Sequence, residues 1–269
     1  MRLLLTFRPL EDAHRDAVTK HTVQGLIYSH LWGTEYWRRH DEARFKFFTF
    51  SDIFPPGDFR AGEEKSLLIS SPDGNFIEIL HERLGEKEGL YLGGLKVELV
   101  RLKKFSLRPN GKFVTGSPVV VRSMNLERRG FFSFYHEKSL NHFITRITEN
   151  ALKKYRVFTG EEFELDGPIF DRIVPRVRKD GRIDVYTRVR MHGASFLIPG
   201  STWKLLEKRI TPTNRDFYAF LMDAGMGELN SLGFGFLNPI KKKGPSNGRG
   251  KGNKGPGEDP RRGSPSGLV

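Results

Sequence analysis

Gly225-Met-Gly-Glu-Leu-Asn-Ser-Leu-Gly233-Phe-Gly-Phe236 is the stretch on which the reading of this chain turns. Four glycines alternate with large apolar residues, where a helical pattern ends and an extended one begins. Glycine lets the backbone approach a ligand closely and aim N–H groups at an anion. The stretch is not a dinucleotide fingerprint. Asn230 stands where the third glycine of G-x-G-x-x-G belongs, and the order is helix to strand. It is not a P-loop either, since no Gly-Lys-Ser/Thr follows. Two readings stay open: a loop touching an anionic ligand through Gly225, Gly227, Gly233 and Gly235, or a glycine helix cap followed by a tightly packed strand.

The elements around this loop are read outward from it. Thr211-Pro212 is a cap with proline at the first helical position, and the helix is predicted to run to about Met222. Residues 232–240 are predicted to close the body as a strand. Upstream, Asp180-Gly181 is a type I′ turn signal and predicts a hairpin over residues 172–191, with Ile183, Val185, Val189 and Met191 on one face of its second strand. Leu140, Phe143, Ile144, Ile147 and Ala151 make a helical stripe. Residues 118–121 and 131–135 read as strands.

The first part of the chain has the same order. Residues 2–7 form a strand before Pro9. A helix follows with Val23, Leu26, Ile27 and Leu31 on one face. Residues 45–50 and 66–70 read as strands. Asp73 caps a helix carrying Phe76, Ile77, Leu80 and Leu84. Residues 90–105 supply one long or two short strands. Interleaved elements of this kind predict an α+β fold of two tandem ferredoxin-like (RRM-like) βαββαβ units with a C-terminal glycine-rich loop. The expected division is residues 1–110, 111–240, and a tail over 241–269.

The chain has 269 residues, of which 37% are hydrophobic and 29% charged, so it has material for a packed core. It has no cysteine, which excludes disulfides, thiolate zinc sites, iron–sulfur clusters and a Cys nucleophile. The net charge of +13 points to nucleic acid or an anionic surface as partner. The tail, rich in Gly, Pro and Ser, holds eight basic and two acidic residues and is expected to be disordered. No apolar run is long enough for a membrane span or a signal-peptide core, so the cytoplasm is the expected compartment and no membrane partner is expected.

Two further sets of residues could carry chemistry. Arg182, Arg188 and Arg190 are predicted to share one side of the hairpin's second strand with Tyr186, and Arg176 and Arg178 to lie on or near its first. Arginines and a tyrosine on a β-surface suit phosphates and stacked bases; the alternative is a solvated sheet face. Tyr28 lies about 100° around its helix from the apolar stripe, and His40 and Lys46 follow in a polar run and the start of a strand. Cleavage of RNA without a metal needs a base for the 2′-hydroxyl, an acid for the departing 5′-oxygen and a cation for the phosphorane charge. His, Tyr and Lys can fill those roles, although taken alone these three read as ordinary surface residues. The remaining histidines show no zinc-helix spacing, so no metal and no cofactor is expected.

Together, the glycine-rich motif from Gly225 to Phe236, the two ferredoxin-like units and the Gln24-Gly-Leu-Ile-Tyr28 segment resemble the CRISPR-associated endoribonucleases that cut repeat RNA, the sixth numbered Cas family of the RAMP superfamily. The resemblance covers residues 1 to about 240. In archaeal members a Tyr in the first helix, a His after it and a Lys six positions later form the catalytic set. Those motif positions fall here on Tyr28, His40 and Lys46, and Phe47-Phe-Thr-Phe-Ser51 is similar to the family's Phe-Thr-aromatic-Ser segment. The resemblance implies metal-independent cleavage within a CRISPR repeat, with a 2′,3′-cyclic phosphate and a 5′-hydroxyl as ends. It implies His40 as general base, Lys46 as phosphorane cation, and Tyr28 as acid or positioning group, with base and acid exchangeable.

The implied partner is single-stranded or weakly structured repeat RNA, lying in the cleft between the units. Subunits of a CRISPR effector complex are further candidates, and the chain would act as monomer or homodimer. Two other readings compete. A non-catalytic RNA-binding subunit of such a complex would share the loop and fold but would not need Tyr28, His40 and Lys46. A generic two-RRM protein is disfavoured. Gly233-Phe-Gly-Phe-Leu237 is similar to the centre of the RNP1 pattern, but Leu232 and Pro239 replace its diagnostic ends.

Overall fold

The computed structural model describes residues 1–38, 42, 44–87, 89–124, 130–191 (the last two by backbone only) and 194–240. His40, the side chain of Arg190 and the tail over 241–269 therefore lie outside the described residues.

The N-terminal part runs β1 (Arg2–Pro9), α1 (Lys20–His30), α2 (Glu35–Arg38), β2 (Thr49–Phe50), β3 (Lys65–Ser70), α3 (Gly74–Gly85), β4 (Leu90–Leu92) and β5 (Leu95–Phe105). Its antiparallel sheet has the order β2-β3-β1-β5-β4. Strand alternation sends Leu3, Leu5 and Phe7 of β1 to one face. There they pack with Leu67, Ile69 and Val97 under Ile27 and Leu31 from α1 and its C-cap and Ile77, Leu80 and Leu84 of α3. Thr19 and Thr22 form a capping box that starts α1, and the Asp73 carboxylate accepts from the Asn75 N–H to start α3.

The C-terminal part runs β6 (Lys112–Thr115), α4 (Phe134–Glu137), α5 (Leu140–Thr159), β7 (Arg172–Pro175), β8 (Asp184–Met191), β9 (Ala194–Ser201), β10 (Trp203–Glu207), α6 (Arg215–Ala224) and β11 (Leu237–Pro239). Its main sheet has the order β11-β6-β10-β7, and β8 and β9 pair separately. Phe143 and Ile147 of α5 pack with Phe113, Trp203, Leu206, Phe217 and Leu221, the Phe143 ring stacking on Trp203 at 5.1 Å.

Several expectations are corrected. The hairpin over residues 172–191 does not form. The Asp180–Gly181 turn exists, with Gly181 at φ 79° and its N–H donating to the Arg178 carbonyl at 3.0 Å. Its two arms take other partners: β7 pairs with β10, and β8 pairs with β9. A turn signal sets local backbone, whereas burial of Ile173 beside one core and of Val189 and Ile198 in another decides the pairing.

Only Thr49 and Phe50 of residues 45–50 are a strand, because Phe47 adopts φ 52° and breaks the extended run. Residues 118–121 and 131–135 make isolated bridges, Val119 to Ser201 and Arg122 to Phe131. Phe134 starts a helix instead because the distant Asp184 carboxylate accepts from the Ser133 hydroxyl and from the N–H groups of Phe134 and Tyr135. The helix expected at Thr211 begins at Arg215, since Asn214 folds back to accept the Thr211 N–H. The closing strand shrinks to residues 237–239, because a 3-10 turn over Asn230–Leu232 and the positive φ of Gly233 and Gly235 precede it.

The two parts are joined by a buried polar seam. Arg2 is fully buried. Its guanidinium donates to Asp223 at 2.9 Å, to Asn238 Oδ1 at 2.6 Å, and to the carbonyls of Met222 and Leu237 at 3.0 and 2.7 Å. The Met1 ammonium completes the Asp223 carboxylate at 2.7 Å.

Candidate nucleic-acid cleavage site

Apolar burial of Val23, Leu26 and Ile27 orients α1, which carries Tyr28 to the rim of the first core. The Tyr28 ring meets Phe48 edge-on at 5.7 Å, and Phe48 stacks on Phe76 at 4.9 Å. Phe48 is thus pulled into the core while the irregular segment before it crosses the surface. That segment places Lys46 beside Tyr28. Both line one cavity of about 320 Å³ together with Tyr36, Arg44, Ser71, Asp73 and Phe158. The Lys46 ammonium donates to the Glu42 carbonyl at 2.7 Å, and Arg44 pairs with the Glu42 carboxylate.

Sequence reasoning missed Tyr36. Its hydroxyl donates to Asp73 Oδ2 at 2.6 Å, and its ring meets Phe76 edge-on at 5.3 Å. Burial first, and the Asp73 carboxylate next, push this phenol up to about 12, so it is neutral at ordinary pH. The same Asp73 caps α3, so one carboxylate ties α2 to α3. An aromatic just after the first helix was the available signal.

The four motif glycines lie buried in the seam. A Cβ on Gly233 would run into the Phe50 ring, and one on Gly235 into the Met226 carbonyl; both glycines also have positive φ. Gly225 and Gly227 turn the chain between them, packed against Asn230 and the Val120 carbonyl. The N–H groups of Gly225, Gly233 and Gly235 donate to the carbonyls of Leu221, Asn230 and Pro118. These three N–H groups are thus engaged inside the protein, and the tight-packing reading accounts for the glycines. Thr49 and Lys20 of the N-terminal part donate to the Phe234 and Gly233 carbonyls at 2.9 and 2.7 Å.

A second residue was also missed. Phe143, Ile147, Ala151 and Lys154 form the buried face of α5, so a lysine occupies a core position of the apolar stripe. Its ammonium donates to the carbonyls of Gly225 and Gly227 and to Asn230 Oδ1 at 2.8 Å. Burial pulls Lys154 down to about 7, with Glu228 acting the other way. A smaller cavity of about 200 Å³ is lined by Lys154, Asn150, the loop from Gly227 to Ser231, and the segment from Arg44 to Phe48. Lys46 therefore lies between the Tyr28 cavity and the glycine-rich loop.

The described arginines have different neighbours. Arg176 and Arg178 lie exposed beyond β7, and Arg178 pairs with Asp180. Arg182 precedes β8 and sits over the Tyr135 ring at 4.6 Å. Arg188 lines a groove of about 970 Å³ with Lys20, His21, Tyr91 and Tyr186. Among the described residues no group of three His, Asp or Glu side chains could hold a metal ion, and no helix is long and apolar enough to cross a membrane.

Comparison with known proteins places this geometry. A solved structure described as CRISPR associated protein Cas6 has a TM-score of 0.64 at 21% identity, covering 90% of this chain and 99% of the other. Another, described as a RAMP protein binding different RNA substrates, has a TM-score of 0.59 at 20% identity, covering 90% and 100%. At such identities the likeness establishes a shared mixed α+β fold. Residues 100–239 match the C-terminal family of CRISPR associated protein Cas6. The chain is 52% identical over 243 residues to CRISPR-associated endoribonuclease Cas6 2 of Methanocaldococcus jannaschii, covering 90% of this chain and all of the relative. The chain belongs to the Cas6 family of CRISPR-associated endoribonucleases.

Proposed function

We propose that this chain cuts CRISPR precursor RNA within its repeats, without a metal ion, using Tyr28, His40 and Lys46. The observation that carries the reading is the shared cavity of Tyr28 and Lys46, two residues brought together only by the fold. The relative 52% identical over 243 residues, a CRISPR-associated endoribonuclease, supports it.

In this reaction the 2′-oxygen attacks the adjacent phosphorus. Its proton passes to His40, and a 2′-O–P bond forms. Negative charge grows on the phosphorane oxygens, and the Lys46 ammonium stabilises it. The bond from phosphorus to the 5′-oxygen breaks, and that oxygen takes a proton from Tyr28, or from the His with Tyr28 as base. The ends are a 2′,3′-cyclic phosphate and a 5′-hydroxyl, and atoms and charge balance without water.

We read both parts as ferredoxin-like units, 1–110 and 111–240, each with its first strand between its third and last. The repeat RNA lies across the cleft between them. Arg188 offers a phosphate contact from the groove it lines with Lys20, and the exposed Arg176, Arg178 and Arg182 offer outlying ones.

The test is cleavage of end-labelled repeat RNA in excess EDTA by wild type and His40→Ala. The expected outcome is one cut with a cyclic-phosphate end for wild type only, and RNA affinity within a few-fold for the variant. Tight binding without cutting by either protein would establish the alternative, a non-catalytic RNA-binding subunit.

A further inference from the structure

Tryptophan is rare here. Of three in the chain, Trp203 is buried at 1% exposure, with its indole N–H on Ser201. The other two face solvent side by side. Trp32 is 64% exposed and Trp37 37%, and their ring centroids lie 4.2 Å apart with planes tilted by 60°. Indoles left in water forgo the burial that usually holds them, so the pair calls for a partner.

Its place identifies one. Trp32 comes one helical turn after Tyr28, just past the end of α1. Trp37 follows Tyr36, whose ring lines the cavity of Tyr28 and Lys46. The pair therefore belongs to the same stretch of chain that supplies Tyr28 and Tyr36 to the cavity, one turn from the first and one residue from the second. It is held there: the Arg83 guanidinium donates to the Trp32 carbonyl at 2.5 Å and to the His30 carbonyl at 3.2 Å. The nearby charge is mixed and mainly basic: half-buried Arg83 and exposed Arg38 stand against Glu35, and exposed Arg44 lines the cavity itself. Aromatic faces beside cations suit a nucleobase whose phosphate passes close by, since every base has a π-face and the backbone is anionic.

We propose that Trp32 and Trp37 form a stacking platform for an unpaired base of the RNA adjoining the scissile phosphate. The proposal rests on the RNA reading given above and deepens it: the site would favour an unstacked nucleotide over a paired one next to the cut.

The rarity of tryptophan makes the test direct. Tryptophan emission is followed while unlabelled oligoadenylate or a blunt RNA duplex is added, and binding is measured separately by anisotropy of fluorescein-labelled oligoadenylate. Wild type is expected to be quenched by the single strand far more than by the duplex. The Trp32→Leu/Trp37→Leu protein, which keeps only the buried Trp203, is expected to lose the quenching and to bind the single strand roughly tenfold more weakly. Its melting temperature should match wild type, because both rings are exposed. Single-strand binding with no quenching, or with unchanged affinity in the variant, would overturn the platform while leaving the RNA reading intact, and would make the pair a surface for a protein partner. If wild type binds no RNA in anisotropy, the RNA reading fails and the platform with it.

Discussion

β1 lies between β3 and β5 in the N-terminal sheet, and β6 lies between β10 and β11 in the C-terminal one. In each, the first strand is flanked by the third and the last of the unit's shared order, with β4 and the β8–β9 pair standing outside it. The central N-terminal strands are long, eight residues in β1 and eleven in β5, and cover a core in which aliphatic side chains outnumber aromatic ones. The main C-terminal strands have three to five residues, and their core leans on aromatic rings from α5, α6 and β10. The first unit can therefore carry an irregular segment such as residues 44–48 on a regular sheet. The second gives its helix-to-strand junction to docking: the glycine-rich loop seats on Phe50, Thr49 and Lys20 of the first. One strand order thus serves two ends, a sheet that supports the cavity-lining segment and a junction that docks on it.

That comparison can be broken at the seam. Asp223→Ala leaves the buried Arg2 guanidinium without its carboxylate, and a loss of about 3–5 kcal/mol is expected in denaturant unfolding. A loss under 1 kcal/mol would show that the units are held together elsewhere. Gly233→Ala should cost about 2–4 kcal/mol, from positive φ and collision with Phe50. If the variant keeps full stability but loses RNA, the loop serves the ligand rather than the docking.

Lys154 sharpens the comparison through pH. Its folded value near 7 lies below the ordinary 10.5. Between those values the unfolded chain holds a proton that the folded chain has released, so stability is expected to rise as pH increases through that window. Lys154→Met should flatten the slope, and equal slopes in urea titrations of both proteins would contradict it. The smallest effect is expected from deleting residues 244–269: weaker RNA binding at low salt, a shallower salt dependence, and cleavage retained. Abolished cleavage at every salt concentration would assign the tail a structural part.

Much of the fold was legible because its signals are local. The stripe through Phe143, Ile147 and Ala151, the Asp73 cap, and the alternation of Leu3, Leu5 and Phe7 each depend on neighbours within a turn or two. Tyr28 and Lys46 were legible as residues, but their shared cavity was not, because Phe47 leaves the extended region and lets the segment cross the rim. Tyr36 and Lys154 stayed hidden for a related reason. Nothing near them in sequence says that Asp73 or the carbonyls of Gly225 and Gly227 will come within hydrogen-bond distance.

By itself the sequence determined that α1, α3 and α5 are helical, that α3 begins at Asp73, and that a turn forms at Asp180–Gly181. Only the tertiary structure decided that β7 joins β10 while β8 joins β9, that Asp184 starts α4, and that the glycines meet Phe50 and Met226. The reason is physical. Conformation follows from steric and hydrogen-bond preferences over a few residues, whereas strand partners and the burial of charge follow from surfaces made by residues far apart in the chain.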